Sequence, residues 1–170
     1  TILAAANIWA ETPATVITID PGTVVGKVNP LIFGNNMEAA NGKDIFGDRD
    51  TSDPVNGQGA WNPALSQPVP EVVDVAKIIK LGMLRYPGGC LTHNFDWHQA
   101  VGPKDKRTYY KFGIDEYIEL CRAMKAEPLM NVSEICSPQD AADLVEYLNM
   151  PAIPPYFWAI KRAEWGHPEP

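Results

Sequence analysis

Two glutamates, Glu38 and Glu134, each fall just beyond a short apolar run, and Arg85 sits inside a third run that breaks at Gly88-Gly89. A pair of carboxylates at strand ends is the equipment of glycoside hydrolysis, in which one attacks or activates and the other protonates the leaving oxygen. A single glutamate in such a place more often accepts hydrogen bonds from a hydroxyl, and spacing alone does not separate the two roles. Arg85 is more specific. An unpaired cation where a buried strand stops is costly, so the guanidinium is expected to face a negative group. The Gly-Gly turn after it is expected to bring backbone close to a ligand.

Other chemistries fit less well. A dinucleotide cradle needs its glycines to open directly into a helix, whereas Gly88-Gly89 leads into the loop "CLTHNFDWHQAVGP". The aspartate-rich "DIFGDRDTSD" (44–53) invites a calcium reading, but an EF-hand loop counted from Asp48 would need Gly and Glu where Asp53 and Gly59 stand. His93 and His98, five apart beside Asp96, lack a further ligand at helical spacing and read as polar loop residues. Cys90 shows neither a helix N-terminus nor an adjacent base to make it nucleophilic. Lys77, Lys80 and Lys125 fall on helices rather than strand ends, which leaves a lysine-dependent barrel enzyme such as an aldolase without support.

The elements that must position these residues follow from periodicity. "TVITID" (15–20) alternates and stops at Pro21-Gly22, which predicts a strand, with "TVVGKV" (23–28) able to pair with it. "LIFGNN" (31–36) reads as a buried strand. Residues 39–68 are rich in Gly, Asp, Asn and Pro and predict a long loop. Helices are predicted over 70–81 (Val72, Val73, Ala76, Ile78 and Ile79 apolar), 114–126, from Pro138 behind an N-cap Ser137, and over 156–166. "MLRYP" and "PLMNVS" (128–133) supply strands between them. Strands alternating with helices imply a parallel α/β sheet, in which the residues after each strand gather on one edge.

The 170 residues are enough for one domain with a real core, and 45% hydrophobic with 21% charged residues is ordinary for a globular chain. A formal net charge of −7 argues against a nucleic-acid or anionic-membrane partner and is compatible with a neutral, hydroxyl-rich ligand. No run reaches the roughly 20 apolar residues of a membrane span. Cys90, Cys121 and Cys136 show neither a disulfide framework nor zinc spacing. No cofactor or metal is expected.

Taken together, "VNPLIFGNNMEAA", "MLRYPGGCLTHNFDWHQAVGPKDKR", "FGIDEYIELCRAMKAEPLMNVS", "DAADLVEYLN" and "RAEWGHPEP" resemble, in order, the N-terminal part of the α-L-arabinofuranosidases of glycoside hydrolase family 51. The resemblance covers about residues 23–170, and its second piece is the most specific. It implies the first three βα units of a (β/α)8 TIM barrel over 29–170, with 15–28 supplying strand to a β-sandwich domain; 1–14, "TILAAANIWAETPA", reads from its own residues as a processed or flexible terminus. It implies retaining removal of terminal α-L-arabinofuranosyl groups. Glu38, Gly89, Cys90 and Trp97 would bind the sugar, Trp97 as an apolar wall, and Arg85 would support the nucleophile.

The resemblance also implies that the nucleophile and the acid/base glutamate lie outside this chain. The expected partners are therefore an arabinofuranosyl-containing oligo- or polysaccharide and the remainder of the same enzyme, with a homo-oligomer also considered. The sequence departs from the family at Cys90, where Asn is common, at His98-Gln99, which replaces an acidic pair, and at "NVSE", which replaces a Gly-rich turn. The other reading is a non-catalytic carbohydrate-binding or structural segment of a barrel protein. The small-residue terminus without an initiator methionine gives an expectation of export.

Overall fold

A computed structural model describes residues 15–39, 56–57 and 59–170. The terminal stretch 1–14 and the aspartate-rich 44–53 lie outside the described residues. Among the described residues, five strands and four α-helices run in the order β1 (Gly34–Glu38), β2 (Trp61–Asn62), β3 (Gln67–Pro68), α1 (Pro70–Ile78), β4 (Met83–Gly88), α2 (Ile114–Met124), β5 (Glu127–Met130), α3 (Pro138–Asn149) and α4 (Phe157–Glu164). β1, β4 and β5 form a parallel sheet with β4 central, and β2 pairs with β3 as an antiparallel hairpin. The protein is thus a mixed α/β structure with a parallel sheet, as the alternation of periods predicts.

Register sorts β4 into two faces. In a parallel ladder, paired residues project to the same side. Asn36, Arg85 and Leu129 are aligned across the three strands, as are Gly34, Met83 and Glu127. Leu84 and Tyr86, in the alternate positions, are buried beneath helices. Tyr86 stacks on Tyr117 of α2 at 5.0 Å and meets Phe112 and Phe95 edge-on, while the Tyr117 hydroxyl donates to the Leu84 carbonyl at 2.6 Å. Each such aromatic contributes about 1.5–3 kcal/mol through burial alone. The opposite face, with Asn36, Leu129 and Glu127, is exposed.

Local chemistry sets the element ends. Ser137 caps α3 by accepting from the Asp140 amide, with Pro138 at the first helical position. α2 stops at Met124 because Lys125 turns left-handed (φ 60°), and its start is fixed by Glu116, which reaches back to accept from the Gly113 amide at 2.8 Å. Glu116 is also gripped by Arg107 through two bonds of 2.5 and 2.7 Å, and Arg107 is itself buried. Arg162 of α4, also buried, donates to the carbonyls of Tyr147, Met150, His167 and Pro168, fastening α3, α4 and the following turn together.

Several expectations are corrected. Residues 15–20 and 23–28 do not pair with each other; they are exposed, with an Asp20-centred turn in which Gly22 and Thr23 donate to the carboxylate. Alternation alone cannot make a strand without a partner, and Ile17, Ile19 and Val25 project into solvent. The strand read at 31–36 begins later: Pro30–Ile32 is a 3-10 turn capped by Asn29, and the ladder runs over Gly34–Glu38. The third parallel strand ends at Met130 rather than 133. The β2–β3 hairpin falls in what reads as loop.

Candidate functional site

The charged residues of interest gather at the C-terminal ends of the parallel strands, on the exposed face. Arg85 projects from the middle of β4, and its Nε is buried without a hydrogen-bond partner among the described residues. A buried, unpaired guanidinium nitrogen is costly unless a partner completes it. Glu38 ends β1 opposite Gly88, where the register shifts, three residues of β4 spanning two of β1.

The two glycines serve the side chains of β1. A Cβ at Gly88 would fall 1.9 Å from Asn36 Oδ1, and one at Gly89 would fall 2.0 Å from Glu38 Oε1. Gly89 is also left-handed (φ 65°), a conformation that favours glycine. The need for glycine is therefore met inside the chain, by a carboxylate lying directly over the backbone. Cys90 is exposed and opens a 3-10 turn, Cys90–Asn94.

Beyond the strand ends, Arg85, Gly89, Thr92, His93 and the segment Asn131–Glu134 line an open depression of about 500 Å³. Its rim is knit by bonds between two loops. Thr92 Oγ1 and Asn131 Nδ2 both donate to the Pro87 carbonyl, at 2.8 and 2.9 Å, and Ser133 Oγ donates to the His93 carbonyl at 2.5 Å. His93 Nδ1 lies 3.0 Å from Glu134 Oε2. Sequence reasoning treats His93 and Glu134 separately; residues 41 apart give no spacing signal, and only the parallel pairing of β4 with β5 brings them together.

Trp97 is placed elsewhere. It is 3% exposed, its Nε1 donates to the Asp140 carbonyl at 3.1 Å, His98 stacks on it at 4.0 Å, and Trp158 meets it edge-on. Packed in this way the indole is a core residue joining the loop to α3 and α4, and it offers no open face for a sugar. His98 is oriented by Asp96 at 3.0 Å rather than by any partner in the depression. A larger cavity of about 710 Å³ lies among α2, β5, α3 and residues 167–170, and Arg85 and Glu38 do not line it. Its most buried acid, Asp115, already accepts from the Tyr147 hydroxyl at 2.6 Å. The smaller depression is the better site because it is lined by Arg85, whose buried Nε has no partner among the described residues. No group of three or more potential metal ligands occurs among the described residues.

In open parallel α/β sheets, ligands bind at the edge beyond the carboxyl ends of the strands, where Arg85, Glu38, His93 and Glu134 collect here. The family model described as "Alpha-L-arabinofuranosidase 1 domain" matches residues 75–170, and the chain belongs to that family. Alpha-L-arabinofuranosidase C of Emericella nidulans is 27% identical over 174 residues, covering 95% of this chain and 32% of the relative. A family 51 α-L-arabinofuranosidase structure from Bifidobacterium longum is similar with a TM-score of 0.68 and 26% identity, over 87% of this chain and 30% of that one. The thermostable family 51 enzyme of Thermotoga petrophila gives 0.66 and 29%, over 89% and 32%. The chain spans about a third of the length of these relatives.

Proposed function

We propose that the full-length protein is a retaining glycoside hydrolase that removes terminal α-L-arabinofuranosyl groups from arabinose-containing polysaccharides. Residues 29–170 supply the first three βα units of its (β/α)8 barrel, whose interior is the exposed face of β1, β4 and β5. In this reading the attacking carboxylate and the acid/base glutamate come from outside these 170 residues. Arg85 keeps the attacking carboxylate ionised through a charge-assisted hydrogen bond. Glu38, held over Gly89, accepts hydrogen bonds from a sugar hydroxyl. Cys90 contributes backbone alone. The observation that carries the reading is the buried, unpaired Nε of Arg85 on the open side of the sheet.

Retention uses two carboxyl groups about 5 Å apart, one attacking the anomeric carbon and the other protonating the glycosidic oxygen. The test is turnover of an aryl α-L-arabinofuranoside by the full-length enzyme, with the anomer first released followed by NMR. Release of the α-anomer is expected. Initial release of the β-anomer, or no release of arabinose, overturns the reading.

A further inference from the structure

Resting on that hydrolase reading, we propose that the His93–Glu134 pair is a specificity contact. It forms the outer wall of the groove and meets the part of an arabinofuranosyl oligosaccharide that lies beyond its terminal sugar. The order of the residues along the strands carries the assignment. Arg85 is within β4, Glu38 and Gly89 stand at the strand ends, and His93 and Glu134 lie five and four residues beyond the ends of β4 and β5. The strands close the inner side. A terminal sugar seated at Arg85, Glu38 and Gly89 must therefore extend its attached chain outward, past the loops that carry the pair.

The chemistry of the pair fits that position. His93 and Glu134 are 58% and 68% exposed in their side chains, yet both line the depression that Arg85 lines. A polar contact so exposed adds little to stability. The loops do not depend on it, because Thr92, Asn131 and Ser133 already tie them to Pro87 and His93 by backbone-directed bonds. Ser133 further holds the turn through the Ile135 amide at 3.3 Å, and its carbonyl accepts from the Cys136 amide at 3.1 Å. The loops thus present two polar side chains at fixed places without needing them for support. Glu134 accepts from sugar hydroxyls. With Nδ1 turned to Glu134, the imidazole keeps Nε2 for a second hydroxyl.

The test compares two substrates in the full-length enzyme and in the variants His93→Ala and Glu134→Gln. One is 4-nitrophenyl α-L-arabinofuranoside, which has no second sugar, and the other is an α-linked arabinofuranotriose. The ratio of kcat/KM for the triose to that for the aryl glycoside is expected to fall about tenfold in each variant, mainly through KM, as for loss of one hydrogen bond to a charged group. Melting temperatures are expected to stay unchanged. An unchanged ratio in both variants overturns the proposal, as does an equal loss on both substrates together with a lowered melting temperature. A parent enzyme that hydrolyses neither substrate defeats the hydrolase reading itself, and that result is distinct from an unchanged ratio in an active enzyme.

Discussion

The Glu38 carboxylate lies against the Cα of Gly89, so close that a β-carbon there would fall 2.0 Å from Oε1. One residue's side chain and another's lack of one are a single fitted unit, joined where β1 and β4 end side by side.

Gly89→Ala is therefore expected to act on Glu38. The new methyl group displaces the carboxylate and also puts alanine at φ 65°, ψ −162°, a region held almost solely by glycine, at about 1–3 kcal/mol for the backbone alone. In the full-length enzyme kcat/KM should fall at least as far as in Glu38→Gln, with the melting temperature lowered by only a few degrees. Equal activity in Gly89→Ala and the parent would show that the carboxylate position is unimportant.

Arg85→Ala should remove about 10²–10³-fold of kcat, the scale for losing one preorganised donor, with a smaller effect on stability because its buried Nε has no partner among the described residues to lose. Arg85→Lys should recover little, since a point charge cannot reproduce the guanidinium's several fixed donors. Steady-state kinetics beside thermal melts separate the two effects.

Glu38→Gln should weaken KM and kcat together by a factor on the order of 10–1000, corresponding to about 1–4 kcal/mol. Azide distinguishes a binding role from a catalytic one. A mutant lacking its nucleophile or acid/base regains turnover with azide and yields a glycosyl azide, whereas Glu38→Gln is expected to gain nothing. Rescue would make Glu38 one of the two reacting carboxylates.

Arg107→Ala should destabilise the fold by about 3–5 kcal/mol, because it leaves the Glu116 carboxylate buried without its cation. The pair also sets a pH dependence. Burial pushes Glu116 up, but the Arg107 hydrogen bonds and charge outweigh it and hold the carboxyl below its usual range. A depressed folded pKa contributes stability above the unfolded value and loses it as pH falls through the folded one. Acid melts of the parent should show this loss below the ordinary carboxylate range, and Glu116→Gln should not.

Asp115 has the opposite sign. Burial raises its pKa, only partly offset by the Tyr147 hydroxyl and the His167 charge. Its ionised form therefore costs stability at neutral pH, and the cost disappears as acid protonates it. Asp115→Asn keeps an acceptor for Tyr147 and should stabilise the protein near neutrality, with the gain vanishing in acid. Denaturant melts across pH measure both limbs.

What was legible in the sequence follows from which signals are local. α1, α2, α3 and β4 show themselves through apolar period and cap residues such as Ser137 and Pro138, and their bounds shift by only a few residues. The pairing of 15–20 with 23–28 does not form, because alternation marks a strand's faces and not its partner. The β2–β3 hairpin escapes because two-residue strands have no period. At the site, Arg85 and Glu38 could be singled out from their positions at strand ends. The burial of Trp97 could not, because it depends on Trp158 and Asp140, which are 61 and 43 residues away. The reason for Gly88-Gly89 was also hidden, since the atoms that exclude a side chain belong to β1.

The alternation along β4 has a consequence for how such a protein changes over generations. Leu84 and Tyr86 carry the cohesion of the fold, while Arg85 between them, and the loop residues His93 and Glu134 further along, contribute little to it. A mutation at the latter positions is screened by what the protein recognises and scarcely by whether it folds. Neighbouring codons are thus exposed to two nearly independent selections. New preferences can be sampled on one side of the sheet while the other stays fixed.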